Sequence, residues 1–149
     1  MTGPDNHDPE RRVRDSFARM QVMTTIGASL RRVAAGEVEI ELPFMASLTQ
    51  QHGFVHAGIV ATILDTACGY AALTLMPKEA AVLTTEFKIN FLSPAMGDRL
   101  VAAGHVVRPG RKLMVCLGEV FAEKGEARRQ VALMTASMIV VDVTTGLRD

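Results

Sequence analysis

The chain has 149 residues, with 16 Lys and Arg balanced by 16 Asp and Glu, and 48% of its residues are hydrophobic. That length suits one domain, in which about two thirds of the surface of the unfolded chain could be buried. The balanced charge excludes a protein that binds chiefly to a nucleic acid backbone, and the apolar content excludes a disordered chain. Two cysteines, Cys68 and Cys116, are too few for a disulfide framework, so buried and reduced thiols are expected.

The N-terminal segment is polar and lacks the apolar run of a signal peptide, so a soluble, cytoplasmic protein is expected. Residues 1–8 are expected to form a flexible tail. A single domain is expected over residues 9–143, followed by a C-terminal tail over 144–149. Apolar residues at helical spacing after Pro9 predict a short amphipathic helix over about residues 9–22.

Acidic and apolar side chains alternate over residues 37–42, which is typical of a half-buried strand. Together with residues 28–33 and a glycine-containing turn, this strand predicts a β-hairpin. A polar loop over 48–55 follows, and then a small, apolar pattern predicts a helix over about 57–75, ended by a proline. Because this helix is apolar on nearly all sides, other elements must surround it.

Four strand-like segments complete the chain, separated by Gly or Pro, over about residues 81–92, 99–107, 112–122 and 128–141. If these strands form an antiparallel meander, they can cover the apolar helix only by curling around it. The sequence therefore predicts an α+β fold, with a curved antiparallel sheet wrapped around one long central helix and a short N-terminal helix. The uncovered edge of such a sheet predicts self-association, with a homodimer as the minimum.

Asp65 is the only charged residue between Glu41 and Lys78, and it lies in the middle of the predicted central helix. An unpaired buried carboxylate is costly, so Asp65 needs hydrogen-bond donors or a water-filled cleft. On this feature alone, two roles are open. Asp65 could bond to neighbouring groups for structural reasons, or it could be a catalytic group.

Two small residues, Ala57 and Gly58, lie where the central helix is predicted to begin. Unpaired N–H groups and the positive end of the helix dipole face outward there, and small side chains let a ligand oxygen approach closely. Asp65 lies about 10 Å farther along the helix axis, at roughly 1.5 Å per residue. Both features can act on one carbonyl group only if the substrate threads along the helix or a second subunit contributes. A dimer with facing helices would satisfy that geometry.

The segment HAGIVATILDTACG, residues 56–69, resembles the motif of hotdog-fold acyl-CoA thioesterases of the phenylacetate-degradation (PaaI-like) type. The strand TTEFKINFLSPA over 84–95 and the Gly-Arg-Lys turn at 110–112 are also similar to that family. The resemblance extends over about residues 15–142. It implies the hotdog fold and hydrolysis of an acyl-CoA to the free acid and CoA, with no cofactor apart from CoA as part of the substrate. It also implies a site across a dimer interface, and a homotetramer built as a dimer of dimers is expected.

The resemblance assigns roles to positions in this chain. Asp65 matches the family's catalytic carboxylate, which acts as a general base on water or as a nucleophile. The N–H group of Gly58 or of Ala57 is expected to polarise the thioester carbonyl group, and Ala57 stands where the family usually has Gly. The other expected catalytic positions are His56, with an orienting role, Gln50, where the family frequently has Asn, and a hydroxyl group of the partner subunit that corresponds to Thr84 or Thr85.

Basic residues without acidic neighbours occupy the segment 99–118. A solvated hairpin is the simpler explanation for any one of them, but as a patch beside a groove Arg108, Arg111 and Lys112 suit the phosphates of CoA. Lys88 completes the predicted CoA-binding set.

No metal site is expected, because His52 and His56 lack a third nearby ligand. Two functions from different classes remain open. The first is an acyl-CoA thioesterase, and the second is a non-catalytic acyl-CoA-binding or regulatory protein of the same fold. A DNA-binding regulator would need an additional basic or helix-turn-helix segment, so no nucleic acid partner is expected. No membrane partner is expected either, because the long apolar stretch over residues 53–76 is interrupted by Asp65 and by threonines.

Overall fold

The computed structural model describes residues 8–149, so the predicted N-terminal tail lies outside the described residues apart from Asp8. The described chain begins with two helices, α1 (Pro9–Arg19) and α2 (Gln21–Ile26), where the sequence predicts one. Met20 adopts an extended conformation between them and thereby ends α1. At the other end of α1, the Asp8 side chain accepts a hydrogen bond from the N–H group of Glu10, as an N-cap residue does.

The remaining helix and strands lie within a few residues of their predicted bounds. They are β1 (Ser29–Ala34), β2 (Glu37–Pro43), α3 (Ala57–Leu73), β3 (Ala81–Phe91), β4 (Arg99–Arg108), β5 (Leu113–Lys124) and β6 (Ala127–Val141). Within residues 8–149, no helix is both long enough and apolar enough to cross a lipid bilayer.

All six strands belong to one antiparallel sheet, in the order β1-β2-β4-β5-β6-β3. The predicted four-strand meander is wrong at its first strand, because β3 pairs with β6 and not with β4. A two-residue turn after β3 would have made β4 its neighbour in the sheet. The connection over residues 92–98 is longer, and it carries the chain from β3 at one edge of the sheet to β4, which lies between β2 and β5. As a result β3 and β2 lie on opposite sides of β4–β6, and both contact α3.

The central helix α3 packs closely against β4 and β5 because both strands carry glycine beneath it. Gly104 pairs with Gly118 across these strands. A Cβ atom at Gly104 would lie 2.6 Å from the backbone of Ala67, and one at Gly118 would lie 2.6 Å from Leu64 Cδ1. Such distances are far below van der Waals contact, so the two glycines set how closely the helix approaches the sheet.

Cys68 and Cys116 are both buried and free, as expected from the sequence. The Cys116 thiol donates a hydrogen bond to the carbonyl oxygen of Cys68 at 3.5 Å. Burial raises the pKa of both thiols, that of Cys116 to about 11. Neither sulfur is therefore an ionised nucleophile at neutral pH.

The edge strand β3 exposes apolar side chains that a folded domain normally covers. Leu83, Phe87 and Phe91 remain 47%, 44% and 49% exposed. Phe87 and Phe91 pair with Ala136 and Ala132, whose side chains are buried, so these two phenyl rings lie on the face of the sheet that packs against α3. An unpaired strand edge with exposed apolar residues is a template for pairing with another chain.

The segment predicted as a C-terminal tail returns to the domain at its last residue. Asp149 Oδ2 accepts a hydrogen bond from the N–H group of Val82 at 2.6 Å, and its Oδ1 accepts one from the Ser16 hydroxyl at 3.5 Å. Ser16 Oγ also lies 3.0 Å from Tyr70 Oη. These contacts join α1, α3 and the start of β3 around one polar cluster.

Candidate functional site

Asp65 lies on the partly exposed face of α3, and β3 supplies its hydrogen-bond donor. Thr84 Oγ1 donates to Asp65 Oδ1 at 2.8 Å. Burial raises the pKa of the Asp65 carboxyl above its ordinary value, and the hydrogen bond from Thr84 opposes that rise in part. A carboxylate that is held in place and partly desolvated is suited to accept a proton from a substrate or from water.

A cavity of about 200 Å³ opens beside this carboxylate, and we call it the Asp65 cavity. Besides Asp65 it is lined by Met20, Thr66, Gly69, Tyr70, Val82, Leu83, Thr84 and Asp149. Cavities that hold a whole small-molecule ligand measure about 300–1,000 Å³. The Asp65 cavity of one chain is therefore sized for only part of a ligand.

The N-terminus of α3 is capped by the side chain of His56. His56 Nδ1 accepts a hydrogen bond from the N–H group of Gly58 at 2.8 Å. A Cβ atom at position 58 would lie 3.0 Å from that nitrogen, so glycine gives the imidazole room to cap the helix. Since the cap engages the Gly58 N–H, the donor that is left for a ligand is the N–H of Ala57, which has no acceptor within residues 8–149.

A larger cavity, of about 460 Å³, lies in front of this helix N-terminus, and we call it the Ala57 cavity. Its lining comes from the loop before α3, from α3 itself, from the end of β3 with the segment that follows it, and from β6: Gln50, Phe54, Val55, His56, Ala57, Val60, Phe91, Leu92, Ser93, Pro94, Ala95 and Val131. The N–H group of Val55 donates to the carbonyl oxygen of Ala95 at 2.9 Å. The Ser-Pro-Ala segment after β3 thus holds the loop that leads into the helix.

Gln50 lines the Ala57 cavity, as its predicted role requires, but one of its side-chain atoms is already engaged. Gln50 Oε1 accepts a hydrogen bond from the N–H group of His52 at 2.6 Å. The loop is further tightened by the bond from the N–H group of Gln50 to the carbonyl oxygen of Phe54 at 2.8 Å. Gln50 therefore orders the loop, and its side-chain NH₂ group is the part that remains for a ligand.

The two candidate hydroxyl groups on β3 have different positions. Thr84 bonds to Asp65 of its own chain, whereas the resemblance implied a hydroxyl group from the partner subunit. Thr85 occupies a bulge between Thr84 and Glu86 and donates to the carbonyl oxygen of Ser137 at 3.1 Å. Only Thr84 is thus in contact with the candidate catalytic carboxylate.

The structure does not bring the predicted CoA-binding residues to either cavity of their own chain. Lys88 pairs with Thr135 on the face of the sheet opposite α3, and its Nζ donates to Asn90 Oδ1 at 2.8 Å. Arg108, Arg111 and Lys112 are exposed around the turn between β4 and β5. That turn lies at the end of the sheet where β3 begins, remote from the N-terminus of α3.

Within one chain, the Asp65 carboxylate and the Ala57 N–H group do not meet. They are separated by about 12 Å along the helix axis, at roughly 1.5 Å per residue. They also open into different cavities, one beside Thr84 and the other beside Phe91. Each chain thus carries the two candidate features at opposite ends of β3.

Sequence reasoning did not identify Met20, Tyr70 and Asp149 as lining residues of the Asp65 cavity. They come from three distant parts of the chain, and no local pattern marks them.

Residues 8–149 contain no cluster of three or more His, Cys, Asp or Glu side chains that could hold a metal ion.

Residues 52–128 match the family model described as the thioesterase superfamily. The chain belongs to the thioesterase superfamily. The matched range contains α3 with Asp65, the Ala57 N–H group, and the β3 strand with Thr84. Asp65 and the Ala57 N–H group therefore both lie in the part of the chain that matches the family model.

Solved structures of other proteins have the same fold. The crystal structure of a thioesterase family protein from Silicibacter pomeroyi is 50% identical, with a TM-score of 0.89 over 91% of this chain and 99% of that chain. The E. coli PaaI protein from the phenylacetic acid degradation operon is 20% identical, with a TM-score of 0.80 over 89% of this chain and 93% of that one. The predicted hotdog fold and the predicted resemblance to PaaI-like thioesterases are confirmed.

A human relative, acyl-coenzyme A thioesterase 13, is 29% identical over 86 residues, which are 57% of this chain and 61% of that protein. Together with the superfamily match, this similarity supports a hydrolase of thioesters.

Proposed function

We propose that this protein hydrolyses acyl-CoA thioesters at two sites, each formed between two copies of the chain. Asp65 is the catalytic carboxylate, and the N–H group of Ala57 is the donor to the oxyanion. The observation that carries the proposal is the position of Asp65, a partly buried carboxylate bonded to Thr84 and open to a cavity. Membership of the thioesterase superfamily supports the reaction, and the name of the human relative supports CoA as the thiol.

The geometry of β3 supports a site shared between two copies. The Asp65 cavity lies beside Thr84 near the start of β3, and the Ala57 cavity lies beside Phe91 at its end. If two β3 edges pair antiparallel around a twofold axis near Phe87, the start of one strand lies opposite the end of the other. The Asp65 cavity of one copy then faces the Ala57 cavity of its partner.

In the proposed reaction, Asp65 takes a proton from water, and the resulting hydroxide attacks the thioester carbonyl carbon. The carbonyl oxygen becomes an oxyanion that accepts a hydrogen bond from the Ala57 N–H group at the positive end of the α3 dipole. The C–S bond then breaks, and the proton on Asp65 passes to the leaving thiolate. The products are the free acid and CoA. Direct attack by the Asp65 carboxylate, through an anhydride, is the second route for the same residues.

The other predictions about assembly and CoA binding extend this proposal. The same twofold axis carries the partner's β4–β5 turn to the end of the sheet where the Ala57 cavity opens, so Arg108, Arg111 and Lys112 of a second copy stay candidates for phosphate contacts. A homotetramer built from two such dimers and a cytoplasmic location stay predictions. Light scattering on a size-exclusion column measures the assembly directly.

The experiment that tests the proposed function is a thiol-release assay on aryl, short-chain, medium-chain and long-chain acyl-CoA substrates. We expect turnover with at least one class and loss of most of it in Asp65→Asn. Asp15→Asn, which changes an exposed carboxylate on α1, is the matched control. If the protein binds acyl-CoA but releases no thiol, the proposal is wrong and the non-catalytic binding function is favoured.

A further inference from the structure

A third cavity adjoins the Ala57 cavity and shares two of its walls, Phe54 and Pro94. It measures about 420 Å³, and we call it the β5–β6 cavity because most of its other lining comes from the end of β5 and the start of β6. Those other lining residues are Met96, Ala122, Lys124, Ala127, Arg128 and Arg129. A ligand in the Ala57 cavity could thus continue into the β5–β6 cavity along the Phe54–Pro94 wall.

Two cationic side chains of this cavity, Lys124 and Arg129, form no salt bridge in the described residues. Neither Lys124 nor Arg129 has a carboxylate within 4.0 Å in the described residues 8–149. Arg129 pairs with Ala122, which is buried, so the β5–β6 register places Arg129 on the same face of the sheet as α3. Lys124 lies two residues beyond Ala122 on β5 and shares that face. Both are therefore on the side of the sheet that carries the candidate site.

The third cation, Arg128, is anchored on the other face of the sheet. Its guanidinium carbon lies 3.9 Å from the centre of the Phe121 ring, and its Nε lies 3.9 Å from Glu123 Oε1. Arg128 is therefore already stacked and paired. Of the three cations in the lining, Lys124 and Arg129 are the ones available to an anionic ligand.

The acidic residues close to the turn between β5 and β6 do not neutralise Lys124 and Arg129. The Glu123 carboxylate bonds to Arg99 at 2.7 Å and to Arg31 at 3.3 Å. The Asp98 carboxylate accepts a hydrogen bond from the N–H group of Gly125 at 3.1 Å. Glu126, in the turn itself, is exposed and is not part of the cavity lining. The lining of the β5–β6 cavity is consequently cationic.

The apolar part of the lining has the character of a stacking surface. Phe54 and Pro94 form the shared wall, and Met96 beside them is 53% exposed. Aromatic and flat apolar side chains bind the faces of nucleic acid bases, whereas Lys and Arg bind phosphates through charge-assisted hydrogen bonds. An apolar wall beside two free cations matches a ligand that joins an aromatic base to phosphate groups.

We propose that the β5–β6 cavity binds the phosphorylated adenine nucleotide of the CoA substrate, with Lys124 and Arg129 on its phosphates and Phe54 and Met96 against the base. The inference rests on the proposed function, because it assigns a place to one end of the same substrate. The acyl end would lie toward the Asp65 cavity of the partner, and the pantetheine arm would cross the Ala57 cavity. Each chain would then bind the nucleotide of the substrate whose carbonyl oxygen it polarises.

The test compares two thioesters that carry the same acyl group, one on CoA and one on N-acetylcysteamine, which lacks the nucleotide. In the double variant Lys124→Gln/Arg129→Gln, we expect the KM for the CoA thioester to rise about tenfold or more with kcat nearly unchanged. The KM for the N-acetylcysteamine thioester is expected to stay the same. The control is Arg14→Gln/Arg32→Gln, which also removes two positive charges, from exposed residues of α1 and β1.

Three outcomes would overturn the nucleotide site. The first is an unchanged KM for the CoA thioester in Lys124→Gln/Arg129→Gln, and the second is an equal rise for both thioesters. The third is a rise in Arg111→Gln/Lys112→Gln alone, which would assign the phosphates to the β4–β5 turn. In each of these cases wild-type turnover still supports the proposed function.

Calorimetric titration with adenosine 3′,5′-bisphosphate gives a reading that does not depend on catalysis. Wild-type protein is expected to bind this nucleotide, and the Lys124→Gln/Arg129→Gln variant is expected to bind it about tenfold more weakly or worse. Absence of binding to the wild-type protein would overturn the inference. If wild-type protein binds the nucleotide but hydrolyses neither thioester, the proposed function fails while the nucleotide site stands.

Discussion

Thr84 Oγ1 lies 2.8 Å from Asp65 Oδ1 and donates a hydrogen bond to it, which joins the middle of the central helix to the edge strand of the sheet. This hydrogen bond opposes the effect of burial on the pKa of Asp65, because burial raises that pKa and the hydroxyl group lowers it. It also fixes one oxygen of the carboxylate, so the other oxygen is the one that is free to face water or substrate. The position and the basicity of Asp65 thus depend on the strand that we propose as the dimer edge.

Removing the Thr84 hydroxyl should shift the pH profile of hydrolysis. In Thr84→Val, the pKa of Asp65 is expected to rise further, because burial then acts without the opposing hydrogen bond. Protonated Asp65 cannot accept a proton, so activity is lost as the pH falls through this pKa. The acidic limb of the kcat/KM profile should therefore move to higher pH. Thr85→Val, which removes a hydroxyl group bonded to Ser137, should leave that limb in place, and equal shifts in both variants would refute the assignment.

Asp65 should reduce the stability of the folded protein at neutral pH. Because the pKa of Asp65 is raised in the folded state, the folded protein holds this proton more tightly than the unfolded chain does. The free energy of unfolding therefore falls as the pH rises from the unfolded-state pKa of Asp65 through its folded-state pKa. Asp65→Asn should therefore increase the Tm at pH 7 by a few degrees. The advantage should shrink toward pH 4 and below, where Asp65 is protonated in both states. A lower Tm for Asp65→Asn at pH 7 would contradict this.

The oxyanion donor can be deleted without breaking the helix. Ala57 is the first residue of α3, where proline is well tolerated, and His56 has φ −58° and ψ 137°, a polyproline-like conformation that suits a residue before proline. Ala57→Pro removes the N–H group, and we expect kcat to fall about 10²–10³-fold with little change in Tm. Ala57→Val adds similar bulk but keeps the N–H group, so it should retain much more activity. Equal losses in both variants would indicate a steric effect only.

The dimer edge can be tested at Phe87, which is 44% exposed near the middle of β3. A charge at this position would be buried without a partner if two β3 strands pair, so Phe87→Glu should produce monomers and abolish hydrolysis. Light scattering on a size-exclusion column measures the mass. Val22→Glu introduces the same charge at a residue of α2 that is 45% exposed, and it should change neither mass nor activity. Dimers with full activity in Phe87→Glu would exclude this edge.

Local signals in the sequence predict α3 and its carboxylate well. The small, apolar run around Asp65 is continuous, and a single charge within it stands out. The pairing of β3 with β6 has no local signal, because it depends on where a long connection leads the chain. The sequence likewise leaves open whether Gly58 or Ala57 supplies the free N–H group. The answer depends on the orientation of the His56 imidazole, which engages one of the two.

Charges are hard to assign to surfaces before the faces of the sheet are known. Lys124 and Arg129 stand beside Glu123 and Glu126 in the sequence, so the charges of that segment largely cancel. In the fold, the β5–β6 register separates Arg129 from Glu123 onto opposite faces, and Glu123 is paired with arginines from other strands. A cationic cavity therefore arises from a segment in which basic and acidic residues are mixed.

The shared site is tested most directly by combining two inactive chains. Asp65→Asn and Ala57→Pro, co-expressed with different affinity tags, can be purified as mixed dimers through both tags. If each site takes Asp65 from one copy and the Ala57 N–H group from the other, a mixed dimer has one intact site and one site with both defects. Thiol release from acyl-CoA should then recover to about half of the wild-type rate per dimer. A mixed dimer as inactive as its two parents would contradict a site built across the interface.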